Sequence, residues 1–468
     1  MSKDKATDLL VIGAGPGGYP AAFHAADLGL RVTLVDPEPN PGGVCLYRGC
    51  VPSKALLHVV SFLHDVEQAS EWGVRLGKPE VDLRRLASWK HSVVERLTKG
   101  LGQLGKQRRI RYVRGTARLR DAHHAVLELA GGEHTDIAFE QAVVATGSVA
   151  ASIPGMPDSP RIMTSRQALD LADRPERLLV IGGGYIGLEL GQVYAALGSR
   201  VTVVEMQPEI LPGMDRDLVH ILRKRLAKQF ASIRTGTKVK EMKEVADGLR
   251  VSLEGEGESQ ATFDKVMVAV GRQPCAVGVG LEDVNVERND QGFIEVDAQR
   301  RTSAPSIFAV GDVAGAPMLA HKATHEGRVA AEAAAGQRVA FAPRAIPFVV
   351  FSDPEIAWCG LSEEAAAASG RAIRVTRFPW GASGRAVTLD RPDGLTKMLC
   401  DAETGRILGV GMVGRGAGEL LGEATLAIEM GAVADDVGLT IHTHPTLSET
   451  LMEAAQAFGQ HSTHISGR

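Results

Sequence analysis

Residues 8–36 read DLLVIGAGPGGYPAAFHAADLGLRVTLVD. A short apolar run leads into Gly13, Gly15 and Gly18, an alanine-rich stretch follows, and a second apolar run closes on Asp36. The runs have strand length and the middle is made of helix formers, so the stretch predicts strand, turn, helix, strand. Each glycine has its own duty in such a turn: Gly13 for the tight bend, Gly15 for backbone approach to a pyrophosphate, Gly18 for packing helix on sheet. The helix start offers unpaired N–H groups and a positive dipole end to phosphate. Asp36 then stands where a carboxylate can accept both hydroxyls of an adenosine ribose.

One G-x-G-x-x-G is weak evidence, but residues 177–205, RLLVIGGGYIGLELGQVYAALGSRVTVVE, repeat the unit with Gly182, Gly184, Gly187 and Glu205. The acid follows the first glycine by 23 residues in both. Two units call for two dinucleotides, most simply a tightly held flavin and an exchanging nicotinamide. Glu205 would accept from a free 2′-hydroxyl and repel a 2′-phosphate. The following MQPEILP has no Arg or Lys to receive one, so NAD is favoured over NADP.

At 468 residues the chain suggests about three domains of ~150 residues. Hydrophobic residues at 44%, charged residues at 23% and 53 glycines fit an α/β protein rich in tight turns. A net charge of −4 supplies no basic field for nucleic acid or anionic membrane. No apolar run approaches the ~20 residues of a membrane span. The opening MSKDKATDLLVIGAG lacks a signal-peptide pattern, and five cysteines in this length make no secreted disulfide scaffold. A cytoplasmic location is the expectation.

QAVVATGS (141–148) and KVMVAVGRQP (265–274) each close an apolar strand on a glycine turn, a further sign of duplication. Residues 305–336 read as strand, Gly-Asp turn and a long helix opening near Ala320, a return to the first unit. Beyond about residue 344, short strands and two helices carry no glycine-rich opening, so association is their natural task. The fold class expected is α/β, with two Rossmann-like dinucleotide-binding domains and an α+β C-terminal domain. The expected divisions are 1–149, 150–270, 271–343 returning to the first domain, and 344–468.

GGVCLYRGCVPSKALLH (42–58) sets Cys45 and Cys50 five positions apart before an apparent helix. Zinc would need partner Cys or His at matching spacing, and Cys275, Cys359 and Cys400 are isolated, so no metal is expected. Two core-packing thiols are a second reading. The third is redox: a helix starting near Pro52 puts Cys50 at its N-terminus, where the dipole favours thiolate. Lys54, four residues on, adds positive charge on the same face. Proton traffic around such a pair suits histidine, and HTHPTLSE (442–449) offers His442 and His444 with Glu449 beyond them. Thr446-x-x-Glu449 is equally a helix capping box.

Together these stretches, with SIFAVGDVAG (306–315) and HTHPTLSETLMEAA (442–455), resemble the flavoprotein disulfide reductases in order along essentially the whole chain. The likeness is greatest to the branch that oxidises dihydrolipoamide on a lipoyl-bearing carrier of a 2-oxo-acid dehydrogenase or related complex. It implies that Cys45 exchanges with the lipoyl sulfurs and Cys50 contacts FAD. It makes His444 the acid/base, oriented by Glu449 and supplied across a homodimer, with His442 structural. It sets Lys54, paired with Glu189, near the reactive nitrogen of the flavin. FAD would also meet Ala117, Thr146, Gly147, Ser148, Asp312 and Ala320, and NAD would meet Gly271 and Tyr185, an aromatic gate. Nucleic acid and membrane are not expected partners. The alternatives are an NAD(P)H-dependent reductase of another small disulfide and an FAD-binding scaffold without turnover. The usual loop of the family reads C-L-N-V-G-C, so Tyr47 and Arg48 are departures.

Overall fold

The computed structural model describes residues 6–466; the polar start, 1–5, and the last two residues lie outside it. The strand Ala6–Ile12 runs parallel between Val32–Asp36 and His134–Val144, with Leu9 beside Val32 on one side and Gln141 on the other. Arg111–Leu119 extends the sheet past Val32–Asp36, and Ile307–Ala309 closes the opposite edge against Ala142–Val144. The outer parts of Arg111–Leu119 and His134–Val144 continue into an antiparallel meander through His124–Leu129. The helix Gly18–Asp27 makes the crossover from the first strand to the second.

The second unit repeats this plan. Its parallel sheet runs Ser232–Arg234, Arg200–Val204, Arg177–Ile181, Lys265–Val268, Ile162–Met163, again with the motif strand in the middle. An antiparallel meander over residues 238–263 accompanies it. The crossover helix is Tyr185–Ala196. Ser148–Ala150 pairs antiparallel with Arg272–Pro274, so the glycine turns that end the two units are tied together.

The C-terminal sheet is antiparallel, in the order Phe348–Val350, Glu355–Gly360, Ile407–Gly414, Leu395–Asp401, Ile373–Pro379. Helices Ala417–Met430 and Glu449–Gln456 pack on it. Three more helices, Glu363–Ser369, Gly384–Thr388 and Ala434–Leu439, correct the expectation of two. None completes two full turns, too little for a 3.6-residue period to show in sequence.

The cysteine helix, Cys50–Gln68, is fixed by a core drawn from all three units. Its Leu56 and Val60 pack in one cluster with Leu188 and Val193 of the second crossover helix and with Val350, Ile356 and Val413 of the C-terminal sheet. Each such aliphatic contributes roughly 1.5–3 kcal/mol when fully buried. A buried ion cluster ties the last two units as well. Lys397 Nζ lies 2.6 Å from Asp215, 2.7 Å from Asp217 and 2.8 Å from Glu363. Those carboxylates are close enough together to hold a metal ion, but the ammonium sits among them. Burial alone would discharge Lys397; the three carboxylates outweigh it and keep the amine protonated. Among the described residues no helix is long and apolar enough to cross a membrane.

Candidate active site

The cysteine segment lies across the first glycine turn. Gly42 N–H donates to the Ala14 carbonyl at 2.8 Å. Gly43, at φ +57°, comes so close to Gly15 that a Cβ on it would collide with the Gly15 backbone. The short helix Gly43–Arg48 carries Cys45. Gly49 then reverses the chain, at a place where a Cβ would meet the Val44 carbonyl oxygen at 2.9 Å. Cys50 therefore opens the next helix itself, two residues earlier than the start near Pro52 expected from sequence.

Both cysteines are free thiols. The Cys45 thiol donates to Cys50 and draws it down to about 7; Lys54 adds to this and burial opposes it. The same bond, with burial, pushes Cys45 up. Cys50 is thus the more acidic thiol of the pair, and its exposed surface faces a cavity. Lys54 Nζ lies 2.8 Å from Glu189 Oε2, and Glu189 is only 3% exposed. The other Glu189 oxygen accepts from Phe351 N–H at 2.9 Å, and the Lys54 ammonium stands 4.5 Å from the centre of the Phe351 ring. Lysine, buried acid and the C-terminal unit are thereby locked together beside Cys50.

The cavity has a volume of about 610 Å³, within the ~300–1,000 Å³ usual for cofactor sites. Cys45, Cys50, Lys54, Glu189 and Tyr185 line it together with Gly13, Gly15 and Asp36. Ala117, Thr146, Gly147, Ser148, Asp312 and Ala320 also face it. Asp36 is 7% exposed; Oδ2 accepts from Ala14 N–H at 2.7 Å and Oδ1 from Glu38 N–H at 2.9 Å. Burial raises its pKa against those two bonds. Gly18 does not face the cavity: a Cβ there would collide with the Gly13 carbonyl, so its part is helix packing. The missing side chains at Gly13 and Gly15, the acid at the second strand end and the helix start at Gly18 fit a flavin dinucleotide, and the same cavity extends to Cys50.

The second turn copies the first bond for bond. Glu205, 8% exposed, accepts from Gly183 N–H at 2.7 Å and from Gln207 N–H at 2.7 Å. A Cβ on Gly182 would strike the Ala269 carbonyl as one on Gly13 would strike Ala145, and one on Gly187 would strike Gly182. Gly184 differs: nothing lies within 4 Å of where its Cβ would be, and Gly271, at φ +125°, is equally open. Tyr185 leaves this turn to line the flavin-sized cavity, its ring edge-on to Phe348 at 5.5 Å, and burial raises its hydroxyl to about 12.

His444 and Glu449 meet each other and not the cavity. His444 Nδ1 is 2.8 Å from Glu449 Oε1, and Glu449 Oε2 accepts from Thr446 N–H at 2.8 Å. Burial would raise the Glu449 carboxyl, but the Thr446 N–H and the imidazole outweigh it and hold it below its usual value. The helix begins at Glu449, so only half of a capping box forms. The His444 side chain is 71% exposed, with its free nitrogen available to a neighbour. His442 is held between Glu423 and the Thr440 carbonyl, a structural setting.

Arg272 is the residue that sequence reasoning passed over. Its guanidinium donates to Ser148 Oγ and to the Ser148 carbonyl, both at 2.7 Å, and lies 3.8 Å from Asp312. Ser148 in turn donates to Asp312. The only available signal was its position directly after Gly271 in VAVGRQP.

The chain belongs to the pyridine nucleotide-disulphide oxidoreductase family, matching that family over residues 7–327 and its dimerisation domain over residues 346–455. Curated relatives include the dihydrolipoyl dehydrogenase of Thermus scotoductus, 48% identical over 99% of this chain and 100% of that one. The dihydrolipoyl dehydrogenase of Vibrio parahaemolyticus is 45% identical over 98% and 97%. Among solved structures, LpdA from Mycobacterium tuberculosis superposes with a TM-score of 0.90 at 27% identity, over 96% of this chain and 99% of that one. The flavoprotein disulfide reductase RclA from Escherichia coli does so at 0.85 and 26%, over 96% and 99%. The α/β class with two nucleotide units and an association domain, read from the sequence, is that of the family.

Proposed function

We propose that the chain oxidises protein-bound dihydrolipoamide to lipoamide and reduces NAD⁺ to NADH, with FAD bound between the two half-reactions. The observation that carries this is the acidic thiol of Cys50, hydrogen-bonded by Cys45 and backed by the Lys54–Glu189 pair, on the wall of a dinucleotide cavity. The full-length likeness to dihydrolipoyl dehydrogenases supports the choice of substrate.

In the oxidised enzyme Cys45 and Cys50 form a disulfide. His444 of the partner subunit, its imidazolium stabilised by Glu449, takes the proton of one dihydrolipoamide thiol. That thiolate attacks Cys45 Sγ, the Cys45–Cys50 bond breaks, and Cys50 leaves with the electron pair as thiolate. The second lipoyl sulfur, losing its proton, attacks the first; the lipoyl ring closes as a disulfide and Cys45 departs and is protonated. Lys54 and the helix N-terminus hold the negative charge left on Cys50. FAD, when bound, would accept two electrons from the cysteine pair, which re-forms the Cys45–Cys50 disulfide with loss of the Cys45 proton, and would supply those electrons as hydride to NAD⁺. Gly184 and Gly271 leave room for NAD, Gly182 and Gly187 let the turn beneath it close on the neighbouring backbone, Glu205 accepts its ribose hydroxyl, and Tyr185 gates its nicotinamide end.

The active unit is a homodimer, formed through the dimerisation domain. The test is turnover on a lipoyl-bearing carrier domain compared with glutathione, with NAD⁺ and NADP⁺ as the paired nucleotides. Reduction of NAD⁺ by the reduced carrier is expected; faster work on glutathione, or a flavin that the carrier fails to reduce, would refute the reading.

A further inference from the structure

Tyr47 and Arg48, the departures inside the cysteine loop, both reach back to the segment that follows Asp36. The Tyr47 hydroxyl donates to the Asn40 carbonyl at 3.0 Å and accepts from Asn40 N–H at 3.2 Å. Asn40 is seated where a Cβ on Gly102 would collide with its side-chain amide. The Arg48 guanidinium is paired with Glu38, and both side chains are about three-quarters buried. Strand Arg111–Leu119 fixes the same segment from below, through Tyr112 Oη to the Glu38 carbonyl at 2.9 Å and Arg114 Nε to the Pro37 carbonyl at 3.2 Å.

Arg48 also lines the cavity, and a chain of contacts leads from it to the first glycine turn: Arg48 to Glu38, Glu38 N–H to Asp36, Asp36 to Ala14 N–H. The cavity has two other lining cations. Lys54 is engaged by Glu189, and Arg272 by Ser148 and Asp312. Asp36 lines the corner beside the glycine turn with Glu38 just behind the cavity wall, and Arg48, paired with Glu38, is the lining cation on that side. A diphosphate brought there without Arg48 would meet two like charges and only backbone N–H groups, whereas a guanidinium matches phosphate oxygens in a planar fork.

We propose that Arg48 is an FAD-binding residue that engages the anionic diphosphate and adenosine half of the cofactor, on a loop braced by Tyr47 against Asn40 and in competition with its resting partner Glu38. The assignment rests on the reading of the cavity as an FAD site. It makes the cysteine loop a two-ended device in this chain, sulfur at one end of the flavin and guanidinium at the other.

The test is FAD release from holoenzyme, followed as free-flavin fluorescence after dilution over a range of salt, for wild type, Arg48→Met, Arg48→Lys and Glu38→Gln. Loss of a charge-assisted bond predicts release roughly 10–100-fold faster in Arg48→Met, a smaller effect in Arg48→Lys, and a weaker salt dependence than wild type. Glu38→Gln removes a competing carboxylate, so its release is expected to be no faster than wild type. In stripped full-length protein, added ADP is expected to raise the melting temperature of wild type more than that of Arg48→Met. Wild-type release rates in Arg48→Met would overturn the proposal, as would equal acceleration in Arg48→Met and Glu38→Gln, which would make Arg48 a partner of Glu38 alone. A wild type that carries no flavin would overturn the cavity reading and this one together; a flavin-bearing wild type matched by Arg48→Met overturns this one only.

Discussion

The two nucleotide units share strand order, three glycines and a buried acid that takes two backbone N–H bonds, yet one is roofed and the other is open. Over the first turn, Gly42 and Gly43 press the cysteine segment onto Ala14 and Gly15. Over the second, the position a Cβ would take at Gly184 has nothing within 4 Å. The motif itself is indifferent to how long its ligand stays. What differs is what the rest of the chain lays on top: in the first unit the cysteine segment, in the second open space at Gly184.

The largest effect that sharpens this contrast concerns the roof as chemistry. Cys50→Ser is expected to lower turnover of the dihydrolipoamide carrier by about 10³-fold or more, since groups acting as a unit fail together, while bound flavin is kept. Purified variant with wild-type flavin content, and loss of the long-wavelength absorption that wild type develops on anaerobic reduction, are the readouts; retained turnover would break the assignment.

The next concerns the roof as structure. Gly43→Ala forces a left-handed residue and a backbone collision, so it is expected to cost about 2 kcal/mol or more and to shed flavin. Gly184→Ala, in open space, is expected to stay within about 0.5 kcal/mol of wild-type stability and to raise KM for NAD⁺. Melting curves and flavin content of the two variants check the pair; equal losses would mean that the roof is not what separates the units. A smaller effect is expected at the second acid. Glu205→Gln removes the charge that rejects a 2′-phosphate, and the NAD⁺/NADP⁺ ratio of kcat/KM is expected to fall by about tenfold; an unchanged ratio would remove Glu205 from nucleotide choice.

The smallest is a pH effect on the reduced protein. Cys50 has its folded value depressed to about 7 from 9, chiefly by the Cys45 thiol. A depressed acid contributes its stabilisation fully above the unfolded value and loses it as pH falls through the folded one. Reduced wild type should therefore gain melting temperature relative to Cys50→Ser between about pH 7 and 9, and not below. A flat difference across that window would show that Cys50 is not the held thiolate.

What could be read from sequence was what local geometry dictates. Gly13 and Gly182 are forced by carbonyls on the neighbouring strand, and the strand-end acids follow at fixed distance because crossover helix and second strand have fixed length. Cys50 and Lys54 share a helix face for the same reason. The illegible part is made by side chains meeting across elements far apart in the chain. Arg272 reaches Ser148, Lys54 stands on Phe351, and Arg48 answers Glu38. No periodicity announces such pairs. Glu449 was legible as two alternatives because it has two oxygens: one serves the Thr446 N–H and the other the imidazole.

The seating of Gly43 against Gly15 also bears on how the three units depend on one another. The cysteine segment lies over the first turn, while Leu56 and Val60 of the helix that continues it pack on the other two units. One element thus serves both the nucleotide cavity and the packing of the units, so a ligand that holds the segment in place stabilises the whole molecule rather than the first unit alone.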